Sequence, residues 1–135
     1  MPTQTGKTTG GALTIQVPAE AAALAGVREA LRHWLADAGA QRDEINELTL
    51  ACSEACANAV EHPTERGESV IRLAGHVAAG TVTLVVRDDG QWRTGPPQPD
   101  RGRGLAIMRA LVDTLEITPS RSGTEVRLQR RLVGL

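Results

Sequence analysis

Aromatic residues are nearly missing from this 135-residue chain: there is no Phe or Tyr, and Trp34 and Trp92 are the only two Trp. Stacking platforms for nucleic-acid bases are therefore absent, and a core has to be assembled from Leu, Val, Ile and Ala. Charge of one sign is not in excess either. Fifteen Lys and Arg against sixteen Asp and Glu leave a net charge of −1, which gives no electrostatic footprint for nucleic acid or an anionic membrane. Apolar runs are short. None approaches the roughly 20 residues of a membrane span, and the N-terminus lacks the h-region of a signal peptide. Two cysteines, Cys52 and Cys56, cannot make a disulfide framework, so a reducing, cytoplasmic setting is expected. They stand one helical turn apart with His62 nearby, yet a second cysteine pair is lacking. They read as small buried hydrophobes rather than zinc ligands.

What is present is ordinary for one globular domain, 41% apolar and 23% charged, long enough to bury a real core. Residues 1–11 are rich in Thr and Gly and read as a flexible leader, with the domain occupying 12–135. Gly6-Lys7-Thr8 is not a phosphate loop: Met1 stands where that motif needs its first Gly, and no strand precedes it.

Alternation predicts a strand over 12–17, and Pro18 then opens an Ala/Leu-rich helix over 19–38, ended by Gly39. A second helix carries the stretch 47–63 and is closed by Pro63, with Asp43 or a neighbour as its cap. At 100° per residue Ile45, Leu48, Cys52, Ala55 and Ala59 share one face. Glu54, Asn58 and Glu61 lie opposite, flanked by Glu47 and His62. Two strands follow over 70–77 and 81–87, joined by a hairpin turn. A long loop rich in Gly and Pro (88–103) has the composition of a lid. A helix over 104–115 and strands over 116–119 and 124–132 complete the chain. The expected class is α+β, a two-layer sandwich with a mixed, mainly antiparallel sheet and helices on one face.

Four pieces carry possible chemistry. Glu54-x-x-x-Asn58 puts a proton acceptor and a neutral oxygen ligand one turn apart. Asp88-Asp89-Gly90 ends a strand with a carboxylate that can accept a purine's exocyclic amine, over a glycine on which the base can lie. Arg101-Gly102-Arg103-Gly104-Leu105 leads into a helix whose N–H groups can face a phosphate. Gly123-Thr124 opens the last strand. Each alone also fits a solvated face, a turn or a connector; their order on matching elements is the stronger signal.

The stretches SEACANAVEH, VVRDDGQW, GRGLAIMRALVD and GTEVRL together resemble the anti-sigma-factor serine kinases of the histidine-kinase-like (GHKL) ATPase superfamily, over nearly the whole chain, 12–132. The resemblance implies ATP and Mg²⁺ bound between the helical layer and a mobile lid. Glu54 would be the catalytic base and Asn58 the Mg²⁺ ligand, with His62 at the wall of the site. Asp88 would bind the adenine amine, Gly90 would floor the base, and Thr124 would support that pocket. Arg101, Gly102, Arg103, Gly104 and Leu105 would form the phosphate-binding run. Gln91 and Trp92 stand where many members carry a further glycine. A serine on a small anti-anti-sigma (STAS-type) protein would be the phosphoacceptor, a sigma factor the sequestered partner, and a homodimer the assembly. No direct nucleic-acid or membrane contact is implied. A rival expectation is a catalytically silent nucleotide-binding module that regulates a sigma factor or another partner. Retention of Glu54 favours the enzyme.

Overall fold

The structure, a computed structural model, describes residues 11–61, 69–90 and 102–133. Five strands form one sheet in the order β1-β2-β3-β5-β4. These are β1 (Ala12–Pro18), β2 (Val70–Ala78), β3 (Thr81–Asp88), β4 (Thr114–Ser120) and β5 (Gly123–Arg131). Every pairing among the described residues is antiparallel. Three helices, α1 (Leu24–Asp37), α2 (Arg42–Glu61) and α3 (Gly102–Leu111), cover one face. The α+β two-layer expectation holds, with antiparallel pairs throughout these strands.

Strand alternation decides which face is covered. Leu13, Ile15 and Val17 of β1, Ile71 and Leu73 of β2, Val82, Leu84 and Val86 of β3, and Val126 and Leu128 of β5 all point into the core. They meet Val27, Leu31, Trp34 and Leu35 of α1 and Leu48, Cys52, Ala55 and Ala59 of α2. Burying these side chains is the main force holding the two layers together. In a core without Phe or Tyr, Trp34 is the largest buried side chain among the described residues, and it lies on β2 at Gly75. A Cβ there would sit 3.1 Å from the Trp34 ring.

Three boundaries differ from the sequence reading, each for a tertiary reason. The first helix begins at Leu24, after a 3₁₀ turn at Ala21–Ala23. Until Ala19 the chain is still tied to the sheet, since the Ala19 N–H donates to the Ser69 carbonyl at 2.9 Å. Helix α2 begins at Arg42, and the neighbour of Asp43 that caps it is Glu44: the Gln41 N–H donates to Glu44 Oε1 at 2.8 Å. That is the return half of a capping box. Helix α3 stops at Leu111, not Leu115, because Thr114 and Leu115 join the ladder opposite Gln129 and Leu128. The β2–β3 hairpin turns through Ala79 (φ 52°) and Gly80 (φ 77°), the left-handed pair of a two-residue turn.

Candidate functional site

Helix α2 runs the length of the sheet. Its buried Glu44 accepts the Val133 N–H at 2.7 Å, just past the end of β5. Its other end, Glu61, precedes β2, whose Ile71 pairs with Asp88. Twenty residues of helix cover about 30 Å, close to the roughly 27 Å of an eight-residue strand, so the Glu54–Glu61 half lies at the Asp88 end. Cys52 and Cys56 sit on the buried face of α2 as free thiols. The hydrogen bond to Cys56, then burial, pushes the Cys52 thiol well above its ordinary range, which makes it inert rather than a ligand. No metal-binding group of three His, Cys, Asp or Glu occurs among the described residues.

At that end, Asp88 closes β3 facing the helical layer, with 5% of its surface exposed. Its Oδ1 accepts the Gly90 N–H at 2.8 Å, and Thr124 Oγ1 donates to the Gly90 carbonyl at 3.2 Å. Asp88 and Thr124 are also direct partners across β3 and β5. The residue before Thr124 has to be glycine. Gly123 has φ +146°, and a Cβ there would lie 1.8 Å from the Asp88 carbonyl oxygen. Asp89 turns outward: its Oδ2 accepts the Val70 N–H at 3.1 Å and its Oδ1 lies 3.6 Å from Arg72. The carboxylate, its turn and the start of β5 therefore form one hydrogen-bonded unit.

The second cluster is where α3 meets α2. Glu54 and Asn58 are half-buried on the side of α2 that faces α3. A Cβ on Gly104 would stand 3.3 Å from Glu54 Oε1 and 3.8 Å from the Asn58 amide nitrogen. Glycine at 104 leaves this space open beside both side chains. The first turn of α3 contains no acidic residue and its last turn contains Arg109. Arg109 complements the negative end of the helix dipole, whereas the positive end is left without an acidic side chain, and the N–H groups of the first four residues have no partner within the helix. Leu105 contributes such an N–H while its side chain packs against the core. The structure thus joins Glu54, Asn58 and Gly104 in one cluster and Asp88, Gly90 and Thr124 in another, at the same end of the sheet. His62 and Arg101, and the 91–101 part of the expected lid, lie outside the described residues, as does the side chain of Arg103.

Two charged residues near this framework were not singled out by the sequence reading, although both carried a signal. Glu44 sits four residues before Leu48 on the apolar stripe of α2, and Arg130 continues the inward alternation Val126, Leu128 on β5. A charge at a core-facing position needs a partner, and both have one.

The sequence profile of the histidine kinase-like ATPase domain matches residues 17–130 of this chain. The chain belongs to the histidine kinase-like ATPase family. Its relatives within that family include the serine-protein kinase RsbW of Bacillus subtilis (strain 168), 30% identical over 141 residues that cover 90% of this chain and 86% of RsbW. The anti-sigma F factor of Clostridium botulinum (strain Eklund 17B / Type B) is 26% identical over 118 residues, 77% of this chain and 82% of that protein. Among solved structures, the RsbU and RsbW domains of a Mycobacterium tuberculosis protein match with a TM-score of 0.76 and 34% identity. That match covers 93% of this chain and 34% of the longer one. No helix among the described residues is long and apolar enough to cross a membrane.

Proposed function

We propose that this protein is an ATP-dependent protein serine kinase that also acts as an anti-sigma factor. The observation that carries this reading is the pairing of Glu54 and Asn58 with a glycine-fronted helix N-terminus, at the end of the sheet where Asp88 is held. A binding-only module has a use for Asp88 and for the helix N-terminus. It has none for a carboxylate beside the phosphate-binding turn, where like charge would repel the nucleotide.

Adenine is recognised by Asp88, whose carboxylate accepts the exocyclic amine, while the Gly90 backbone, pinned through Thr124, floors the base. The phosphates lie at the first turn of α3, where N–H donors and the helix dipole favour negative charge. Arg101 and Arg103 add charge to that run. The Asn58 amide oxygen suits a hard cation and would hold Mg²⁺. When bound, Mg²⁺ neutralises charge on the phosphates. Glu54 then takes the proton of the attacking serine hydroxyl, a bond forms from that oxygen to the γ-phosphorus, and the bond to the ADP oxygen breaks. The acceptor is a serine on an anti-anti-sigma (STAS-type) protein, a sigma factor is the sequestered partner, and the working assembly is a homodimer. The names of the relatives support the kinase and anti-sigma roles.

The test is incubation of the chain with ATP, Mg²⁺ and a purified anti-anti-sigma protein, followed by intact mass. One phosphoryl group added to the partner is the expected result. Tight ATP binding with no transfer to any such partner would instead establish a silent regulatory module.

A further inference from the structure

Helix α3 has little apolar anchoring for an element that presents a phosphate-binding turn. Of its described side chains, Met108 alone is fully buried, while Leu105, Ile107 and Leu111 are half-buried. Its far end is held by polar contacts from three consecutive residues of β5. Arg130 Nη1 donates to the Leu111 carbonyl at 3.2 Å and to Glu47 Oε1 of α2 at 2.6 Å. The Asp113 N–H donates to the Gln129 carbonyl at 2.8 Å, and the Arg131 N–H donates to Asp113 Oδ2 at 2.7 Å. Leu111 ends α3, so its carbonyl is one that the helix itself leaves without a partner.

The partner on α2 matters for register. Glu47 lies two turns before Glu54, on the face that also carries Asn58. Along that one face, Glu47 receives the arginine that grips the end of α3, and Glu54 and Asn58 abut Gly104 near its start. The two helices are antiparallel neighbours: the end of α3 is held to this stripe through Arg130, and its start lies beside Glu54 and Asn58. From Leu111 to Gly104 is about 10 Å along the axis, so a tilt of about 5° about the Arg130 contact moves Gly104 by roughly 1 Å. Shifts of that size degrade a site that works by orientation.

We infer that Arg130 is a positioning residue. Bridging Glu47 and the Leu111 carbonyl, it sets the angle of α3 on α2 and so aims the first turn of α3 at the phosphates. The inference rests on the ATP-binding reading above. It predicts a split that global weakening of the fold does not produce. Contacts to the base run through Asp88, Gly90 and Thr124 and do not involve α3, so adenosine binding is insensitive to Arg130, whereas ATP binding is not.

The test is calorimetric titration of the full chain with ATP–Mg²⁺ and with adenosine, for the parent, Arg130→Met, Arg130→Lys and Glu47→Gln. Arg130→Met keeps the buried stem and removes the fork. It is expected to weaken ATP about tenfold or more and adenosine less than about twofold, in keeping with misorientation of the phosphate end alone. Arg130→Lys, a single point charge, recovers part of the loss. Glu47→Gln, at a half-exposed position, shifts the ratio in the same direction and carries the test should Arg130→Met fail to fold. Equal weakening of both ligands, or of neither, would overturn the positioning role. A parent that binds neither ligand would sink the nucleotide reading itself, and this inference with it.

Discussion

Helices α2 and α3 lie side by side on the same sheet and are held in opposite ways. Eight of the twenty residues of α2 are buried, from Glu44 to Ala59, whereas α3 buries only Met108 among its described side chains. The strands repeat the contrast: Val82, Leu84, Val86 and Asp88 of β3 are buried, and β4 has no fully buried residue. The groups proposed for proton transfer and base recognition, Glu54 and Asp88, stand on the tightly packed elements. The turn proposed for the phosphates stands on the lightly packed one. Ligand-binding elements tend to come from the low-stability end of a fold, and the placement here fits a rigid half that does chemistry and a lighter half that closes on the ligand.

The largest effect would break the link between packing and chemistry in the rigid half. Glu54 is half-buried and outside the apolar core of α2, so Glu54→Ala leaves the melting temperature near the parent value. Phosphoryl transfer measured by intact mass falls by about 10²–10⁴-fold, the usual contribution of a general base, while ATP affinity holds or rises slightly. Transfer at the parental rate would place the base elsewhere.

Stability measurements sharpen the contrast itself. Urea unfolding of Leu84→Ala, at a fully buried position of β3, is expected to lose about 2–5 kcal/mol. Ile117→Ala, half-buried on β4, is expected to lose about 1 kcal/mol. Equal losses would mean that β4 is held as firmly as β3.

Asp88→Asn tests the base end. Losing the charge-assisted bond to the adenine amine weakens ATP by about 1–3 kcal/mol in calorimetry and relaxes discrimination against GTP. An unchanged affinity would remove Asp88 from the pocket.

How much of this could be read from the residues depends on the range of the contacts involved. The faces of α2, the Asp88-x-Gly90 turn and the glycine-fronted helix are local patterns that the residues show by themselves, and in the structure Gly104 lies beside Glu54 and Asn58 while Asp88 and Thr124 both bond Gly90. The end of α3 was not legible, because Val112 to Leu115 fit a helical period as well as a strand. Pairing with Gln129 and Leu128, and the grip of β5 on Leu111 and Asp113, decide it. Glu44 and Arg130 share that fate, since their partners Val133 and Glu47 are 89 and 83 residues away in the chain. The need for glycine at 123 shows only once Asp88 is seen against it.

The smallest effect lies far from both clusters. Ala79 holds φ 52° in the β2–β3 turn, where a non-glycine residue is strained and Asn-Gly is the preferred pair. Ala79→Asn is expected to raise stability by about 0.5–1 kcal/mol without changing nucleotide affinity. A loss of ATP binding in that variant would mean that the rigid half is coupled to the site over its whole length.

The central claim, that the lightly packed helix receives the phosphates while the rigid half is already in place, is tested most directly by amide hydrogen exchange with and without ATP–Mg²⁺. Without nucleotide, the amides of residues 84–86 should exchange slowly and those of 102–105 quickly. With ATP–Mg²⁺ the exchange at 102–105 should slow markedly, adenosine should leave it unchanged, and 84–86 should not respond to either ligand. Protection spread evenly over the chain, or exchange at 102–105 that ignores ATP, would contradict the account.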